Sequence, residues 1–129
     1  MWVAILLGVV ALGVLLEGLC ASGAFQTPSQ RRRVAALNDL IALRTAVEQF
    51  QRDCGHYPTA AEGLQSLSVQ PPGLPQWQGP YAKTRMDPWG RPYVYLPPPP
   101  DGSDAYQVIS IGPDGQRGTP DDVNFPGPR

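Results

Sequence analysis

The chain has 129 residues, a length that suits one domain plus an appendage. Its formal net charge of −1 gives no bulk electrostatic reason to bind nucleic acid, so that class of partner is not expected. Proline (16 residues) and glycine (14 residues) are abundant, and almost all of the prolines follow Tyr57. Because these residues interrupt helices and strands, the second half is predicted to be rich in loops with short strands.

The first 16 residues carry no charged side chain, and Glu17 is the first charge in the chain. About 20 apolar residues are needed to span a bilayer, so residues 1–25 suit a membrane anchor if Glu17 is tolerated. Two alternatives stay open. One is a cleaved secretory signal with small residues at 21–23, although no basic segment precedes the apolar run. The other is a lipoprotein signal ending at Cys20. The anchor is the favoured interpretation.

An amphipathic helix is predicted from Pro28 to Cys54. Gly55 is placed to end it, and Pro58 lies just beyond, where proline often follows a helix. Apolar residues recur at spacings of three and four, which is typical of a helix with one buried face. The predicted buried stripe consists of Val34, Leu37, Ile41, Val47, Phe50 and Cys54, widened by Leu40 and Leu43.

The segment after this helix begins with a capping box, in which Thr59 and Glu62 satisfy each other's backbone N–H groups. The box predicts a short helix that ends near Leu67. Residues 69–86 contain four prolines and two glycines, and no regular structure is expected there.

Two β-prone runs follow, at residues 93–96 and 106–111, separated by a turn-rich segment. They predict a small antiparallel sheet, and the tail from Gly112 is predicted to be a loop. The fold class is therefore α+β, with one long helix packed on a small antiparallel sheet.

Three segments carry a family resemblance: DCGHYPTAAEGL (53–64), DPWGRPY (87–93) and SIGPDG (110–115), the last followed by paired aspartates. Taken singly, each has an ordinary alternative as a helix stop or a β-turn. Together and in this order, over about residues 31–123, they resemble the major pseudopilin, the G subunit of the bacterial type II secretion system.

The resemblance implies a pilin-like fold, in which the long N-terminal helix is first transmembrane and then amphipathic. Residues 1–27 would form the transmembrane and filament-core helix segment, and residues 28–129 the periplasmic domain. The protein would cross the bacterial inner membrane once. It would contact membrane lipid before assembly and then polymerise with copies of itself, minor pseudopilins and an inner-membrane assembly platform. The resulting pseudopilus would drive export of folded proteins across the outer membrane.

The loop after the second β-prone run is a candidate calcium site. Asp114, Asp121 and Asp122 fall within nine residues, where carboxylates repel one another unless a divalent ion relieves the repulsion. Calcium prefers such hard oxygen ligands, and Arg117 is the one basic residue among them. The spacing is not that of an EF-hand. The alternative is a solvated acidic loop. The resemblance implies that calcium is bound by these three carboxylates and by the backbone carbonyls of Ile111, Gln116 and Thr119.

A catalytic set is not visible in the sequence, which has a single histidine, His56, and no serine paired with a base. The protein is therefore expected not to be an enzyme. Two alternatives to the filament subunit remain. One is a signal-anchored periplasmic calcium-binding module that never polymerises. The other is a minor pseudopilin or a type IV pilin-like subunit.

Overall fold

The computed structural model describes residues 26–83, 85–102 and 105–125. The anchor predicted in residues 1–25, its two alternatives and Cys20 lie outside the described residues. In the part of the chain that is described, no helix is long and apolar enough to cross a membrane.

Helix α1 extends from Pro28 to Cys54, as predicted. Its start is capped reciprocally: the Thr27 N–H donates to Gln30 Oε1 at 2.8 Å, and the Gln30 N–H donates to Thr27 Oγ1 at 3.3 Å. Its end is made by Gly55, which adopts a φ of 82° and donates its N–H to the Gln51 carbonyl at 2.9 Å.

The buried face of α1 contains most of the predicted stripe, including Leu40, Leu43, Val47, Phe50 and Cys54, but not Val34 or Ile41. Its members follow steps of four and three residues and lie along one side of the helix: Ala36, Leu40, Leu43, Ala46, Val47, Phe50 and Cys54. Val34 and Ile41 were predicted to be buried, but they are 45% and 48% exposed. At 3.6 residues per turn, Val34 and Ile41 lie more than about 120° around the helix from the middle of the buried face. Residues this far apart around a helix cannot all face the same core.

The capping box at Thr59 is present. The Thr59 N–H donates to Glu62 Oε2 at 2.8 Å, and the Glu62 N–H donates to Thr59 Oγ1 at 3.2 Å. The short helix it precedes is a single 3-10 turn, η1, from Leu64 to Leu67. The described members of residues 69–86 form no helix or named strand, in agreement with the prediction.

Three strands form one antiparallel sheet in the order β1-β2-β3: Val94–Leu96, Gln107–Ser110 and Val123–Asn124. The first two confirm the β-prone runs, with shorter bounds. The third corrects the prediction that the tail is only loop. Val123 is buried and pairs with Ser110, so the chain returns to the free edge of β2 after the loop. A run of two strand residues is too short to give an alternating pattern.

One apolar core joins the helix to the sheet. The buried face of α1 packs with Leu67, Tyr93, Tyr106, Val108 and Val123. The predicted α+β fold class, one long helix packed on a small antiparallel sheet, is confirmed. The same packing brings the turn before β1 against the loop between β2 and β3.

Candidate metal-binding loop

The loop between β2 and β3 brings together the three predicted carboxylates. One oxygen from each of Asp114, Asp121 and Asp122 lies within 4.8 Å of the other two. Calcium binds oxygens at about 2.3–2.6 Å, so two ligands of one ion can lie up to about 5 Å apart. The three carboxylates are therefore close enough together to hold one metal ion.

Backbone N–H groups hold these carboxylates in place. The Asp114 N–H donates to Asp121 Oδ2 at 3.1 Å, and the Gln116 N–H donates to Asp114 Oδ1 at 2.8 Å. The Gly118 N–H donates to Asp122 Oδ2 at 2.8 Å. These hydrogen bonds fix the orientation of the three carboxylates within the loop.

Thr119 has a side-chain role that the sequence did not reveal. Its Oγ1 lies 2.5 Å from Asp121 Oδ1, 3.3 Å from Asp122 Oδ1 and 3.1 Å from the Gln116 carbonyl. A hydroxyl carries one proton, so it donates to one of these oxygens at a time. Hydrogen bonding from Thr119 is the main reason that the pKa of Asp121 is lowered, with a further contribution from the Asp114 N–H.

The predicted carbonyl ligands lie in the same loop, and two of them accept hydrogen bonds there. The Gln116 carbonyl accepts from the Thr119 hydroxyl, and the Thr119 carbonyl accepts from the Asp122 N–H at 3.1 Å. A carbonyl oxygen has two lone pairs, so each still has one to offer. Ile111 directly follows β2 and is half-buried.

Gly112 allows the loop to close against Asp121. Its φ is 64°, a region that favours glycine, and a Cβ at this position would lie 2.5 Å from the Asp121 carbonyl oxygen. A side chain here would push Asp121 away. Glycine at this position is therefore required by a specific close approach.

Arg91 is a second basic residue at the loop, missed because it lies in a different motif. Its Nη1 donates to the Gly112 carbonyl at 2.8 Å. Arg91 belongs to the DPWGRPY segment, 21 residues earlier in the chain. Only the folded sheet brings the two segments together.

Asp87, also outside the loop, connects these two motifs. It is 4% exposed, and it accepts N–H groups of Trp89 at 3.0 Å and Arg91 at 2.9 Å on Oδ1. The fully buried Ser110 hydroxyl donates to Asp87 Oδ2 at 2.6 Å. The second and third motifs of the sequence are thus one connected unit in three dimensions.

The first of the three sequence motifs, residues 53–64, contacts other parts of the fold. The Tyr81 hydroxyl donates to Asp53 Oδ2 at 2.9 Å, and the Tyr95 hydroxyl donates to the Pro58 carbonyl at 2.9 Å. These contacts attach the proline-rich segment of residues 69–86 to the last turn of α1, and β1 to the segment that follows the helix. Nδ1 of His56 lies 2.8 Å from the Tyr57 carbonyl, which is a helix-end contact.

A family model, curated proteins and a solved structure are similar to this chain. The family model for protein G of the type II secretion system (T2SS) matches residues 24–125. The type II secretion system core protein G of Escherichia coli K12 is 36% identical over 125 residues, covering 92% of this chain and 83% of that protein. The core protein G of Pseudomonas aeruginosa is 34% identical, covering 91% and 84%.

The fold has a solved counterpart. The crystal structure of the major pseudopilin from the type 2 secretion system of enterohaemorrhagic Escherichia coli superposes with a TM-score of 0.62 and is 29% identical. The match covers 78% of this chain and 92% of that one.

Proposed function

Because the chain belongs to the protein G family of type II secretion systems, we propose that it is a structural subunit of the pseudopilus, the filament that drives export of folded proteins across the outer membrane. The family match over residues 24–125 is the observation that carries this proposal. Its role is structural rather than enzymatic.

The proposed subunit is anchored in the inner membrane by residues 1–27, with residues 28–129 as its periplasmic domain. The uncharged first 16 residues support the anchor. A protein held in this way stays with membranes washed in alkaline carbonate. Release of the full chain by the wash would contradict the anchor and favour a cleaved signal.

The exposed side of α1 supports assembly with other copies. Val34 and Ile41 lie one above the other on this side, and each leaves nearly half of its surface exposed. Packing of a neighbouring subunit along the helix would bury them. The same assembly requires minor pseudopilins and an inner-membrane assembly platform, and membrane lipid holds the subunit before it polymerises.

A shearing experiment tests polymerisation directly. Cells that overproduce the protein are sheared, and filaments are sought in the medium by electron microscopy and immunoblotting. Wild type is expected to yield filaments, whereas Ile41→Ser yields fewer without loss of subunit stability. Val69→Ser is the matched control, because Val69 is 60% exposed and lies outside the helix.

The outcomes separate the alternatives. Absence of filaments from wild-type cells that contain the rest of the secretion system would favour a periplasmic calcium-binding module that never polymerises. Equal yields from Ile41→Ser and wild type would show that this side of the helix is not a subunit contact.

The proposed ligand of the β2–β3 loop is calcium. Asp114, Asp121 and Asp122 would hold the ion, assisted by the carbonyls of Ile111, Gln116 and Thr119. Three carboxylates within 4.8 Å and the close approach at Gly112 support this assignment. Bound calcium would neutralise the carboxylates and tie the loop between two strands. The chain's own residues supply the rest: Thr119 and the backbone N–H groups hold the carboxylates in their orientations.

A further inference from the structure

Arg91 contacts the metal-binding loop at two places, although it is not part of the loop. Its Nη1 donates to the Gly112 carbonyl at 2.8 Å. A Cβ on Gly115 would lie 2.6 Å from Arg91 Nε, so the guanidinium also lies against the backbone there. Gly112 and Gly115 flank Asp114. The side chain therefore supports the loop on both sides of a proposed ligand.

Gly112, which Arg91 contacts, also packs closely against Asp121. A Cβ at Gly112 would lie 2.5 Å from the Asp121 carbonyl and 2.9 Å from its Oδ2. The Gly112 N–H also lies 3.4 Å from Ser110 Oγ. Gly112 is thus held by Arg91 at its carbonyl and by Ser110 at its N–H, and it packs on Asp121.

The backbone of Arg91 is itself held by the buried Asp87, in the turn that precedes β1. The Arg91 N–H donates to Asp87 Oδ1 at 2.9 Å, and the Asp87 N–H donates to the Arg91 carbonyl at 2.7 Å. Asp87 in turn accepts the hydroxyl of Ser110 at the end of β2. The guanidinium therefore extends from a backbone that is held by several hydrogen bonds.

From these contacts we infer that Arg91 is a positioning residue for the proposed calcium site, holding Gly112 and Asp114 where the carboxylates converge. The inference rests on the calcium function proposed above. In this role the DPWGRPY turn belongs to the site, although none of its residues is a proposed calcium ligand.

Arg91 is expected to affect the calcium affinity of the loop in two opposite ways. Its positive charge repels a divalent cation, so removing it would tighten binding. Its hydrogen bond orders the loop in advance, so removing it would weaken binding. Residues that orient metal ligands typically change metal affinity by about 10–100-fold when they are mutated. Among the residues that the structure describes, Arg91 forms no ion pair with a carboxylate, and its guanidinium lies against the loop backbone. The ordering effect is therefore expected to dominate.

The test is a calorimetric titration of the full chain in mild detergent with calcium chloride. Arg91→Met removes the charge and the hydrogen bond, and it is expected to raise the dissociation constant by about tenfold or more. Arg117→Met is the matched control. Arg117 is exposed, lies in the same loop and forms no hydrogen bond or ion pair with any described residue. That control removes an equal charge and is expected to bind calcium as tightly as wild type, or more tightly.

Each outcome decides one question. Calcium binding by Arg91→Met that equals or exceeds wild type would overturn the inference. So would a lower melting temperature without calcium combined with an unchanged dissociation constant, because Arg91 would then be structural only. If Arg91→Met does not fold, Arg91→Lys decides, since lysine keeps the charge but lacks the planar fork. Weaker binding by this variant supports positioning, and unchanged binding overturns it. Failure of wild type to bind calcium would instead overturn the proposed calcium function.

Discussion

The buried face of α1 and the loop between β2 and β3 are held by different forces. Leu40, Val47 and Phe50 are at most 1% exposed, and burial of apolar surface needs no ion. The loop instead holds three carboxylates within 4.8 Å through N–H and hydroxyl donors. The helix face is therefore expected to be stable without an ion, whereas the stability of the loop is expected to depend on bound cations.

The largest effect is expected from Phe50→Ala. Phe50 is fully buried and makes edge contacts with His56 and Tyr81, with ring centroids 5.7 and 6.0 Å apart. Truncation of such a side chain costs about 3–5 kcal/mol of unfolding free energy. Urea denaturation should give the same loss with calcium and with chelator. A loss that depended on calcium would show that the helix face and the loop are not independent.

Alkaline pH should destabilise the core through its tyrosines. Burial raises the pKa of Tyr106 to about 12, and burial also raises the pKa values of Tyr93 and Tyr95. A pKa raised in the folded state gives stability that is complete below the unfolded value near 10 and lost as pH rises through the folded value. Tyr106 should contribute a loss of about 2 kcal/mol between pH 10 and 12.

The measurement is urea denaturation across this pH range, with tyrosinate absorbance as a second signal. Tyr106→Phe should reduce the dependence on pH, because phenylalanine does not titrate. An unchanged slope would show that Tyr106 ionises as easily in the folded state as in the unfolded one.

Features determined by neighbours in sequence were predictable. The end of α1 at Gly55 and the box between Thr59 and Glu62 each need residues only a few positions apart. The convergence of Asp114 with the paired aspartates followed from the family resemblance together with a short, glycine-rich loop.

Features that depend on tertiary packing were not predictable in the same way. The helix carries two lines of apolar residues, and periodicity alone does not decide which line faces the core. The prediction that Val34 and Ile41 face the core is therefore wrong. The third strand forms because Val123 returns to β2. Arg91 reaches the loop from a turn that precedes β1. None of these contacts leaves a local pattern.

Removing calcium should have the next largest effect, and it should act on the loop. Sites in extracellular modules bind calcium with dissociation constants of about 10⁻⁴–10⁻³ M. Free calcium at about ten times such a value stabilises the folded state by roughly 1.4 kcal/mol. For a domain of this size, each kcal/mol raises the melting temperature by about 4–8 °C. Chelation is therefore expected to lower the melting temperature by several degrees.

Thermal unfolding with chelator, with calcium and with magnesium checks this expectation. Magnesium should restore much less stability, because it demands a tighter octahedral site. Asp121→Ala or Asp122→Ala should abolish the response, since each removes one of the three converging carboxylates. A melting curve indifferent to chelator and calcium would show that these residues form a solvated acidic loop.

The smallest effect is expected from Thr59→Ala, which removes one half of the capping box. The Thr59 hydroxyl accepts the Glu62 N–H at 3.2 Å, whereas the Thr59 N–H can still donate to the Glu62 carboxylate after the change. Loss of a capping hydroxyl costs about 0.5–2 kcal/mol, and the surviving half of the box places this variant at the lower end. Thr59→Ser keeps the hydroxyl and serves as the control.

The effect of chelation on the melting temperature of Thr59→Ala is the more informative measurement. The box uses no group of the β2–β3 loop, so chelation should shift the melting temperatures of Thr59→Ala, Thr59→Ser and wild type by the same amount. Effects at sites that share no partners add, and a common shift would show this additivity. A smaller shift in Thr59→Ala would mean that the segment after α1 helps to hold the metal-binding loop. In that case the division between a core that is stable by itself and a loop that depends on ions would have to be redrawn to include residues 59–67.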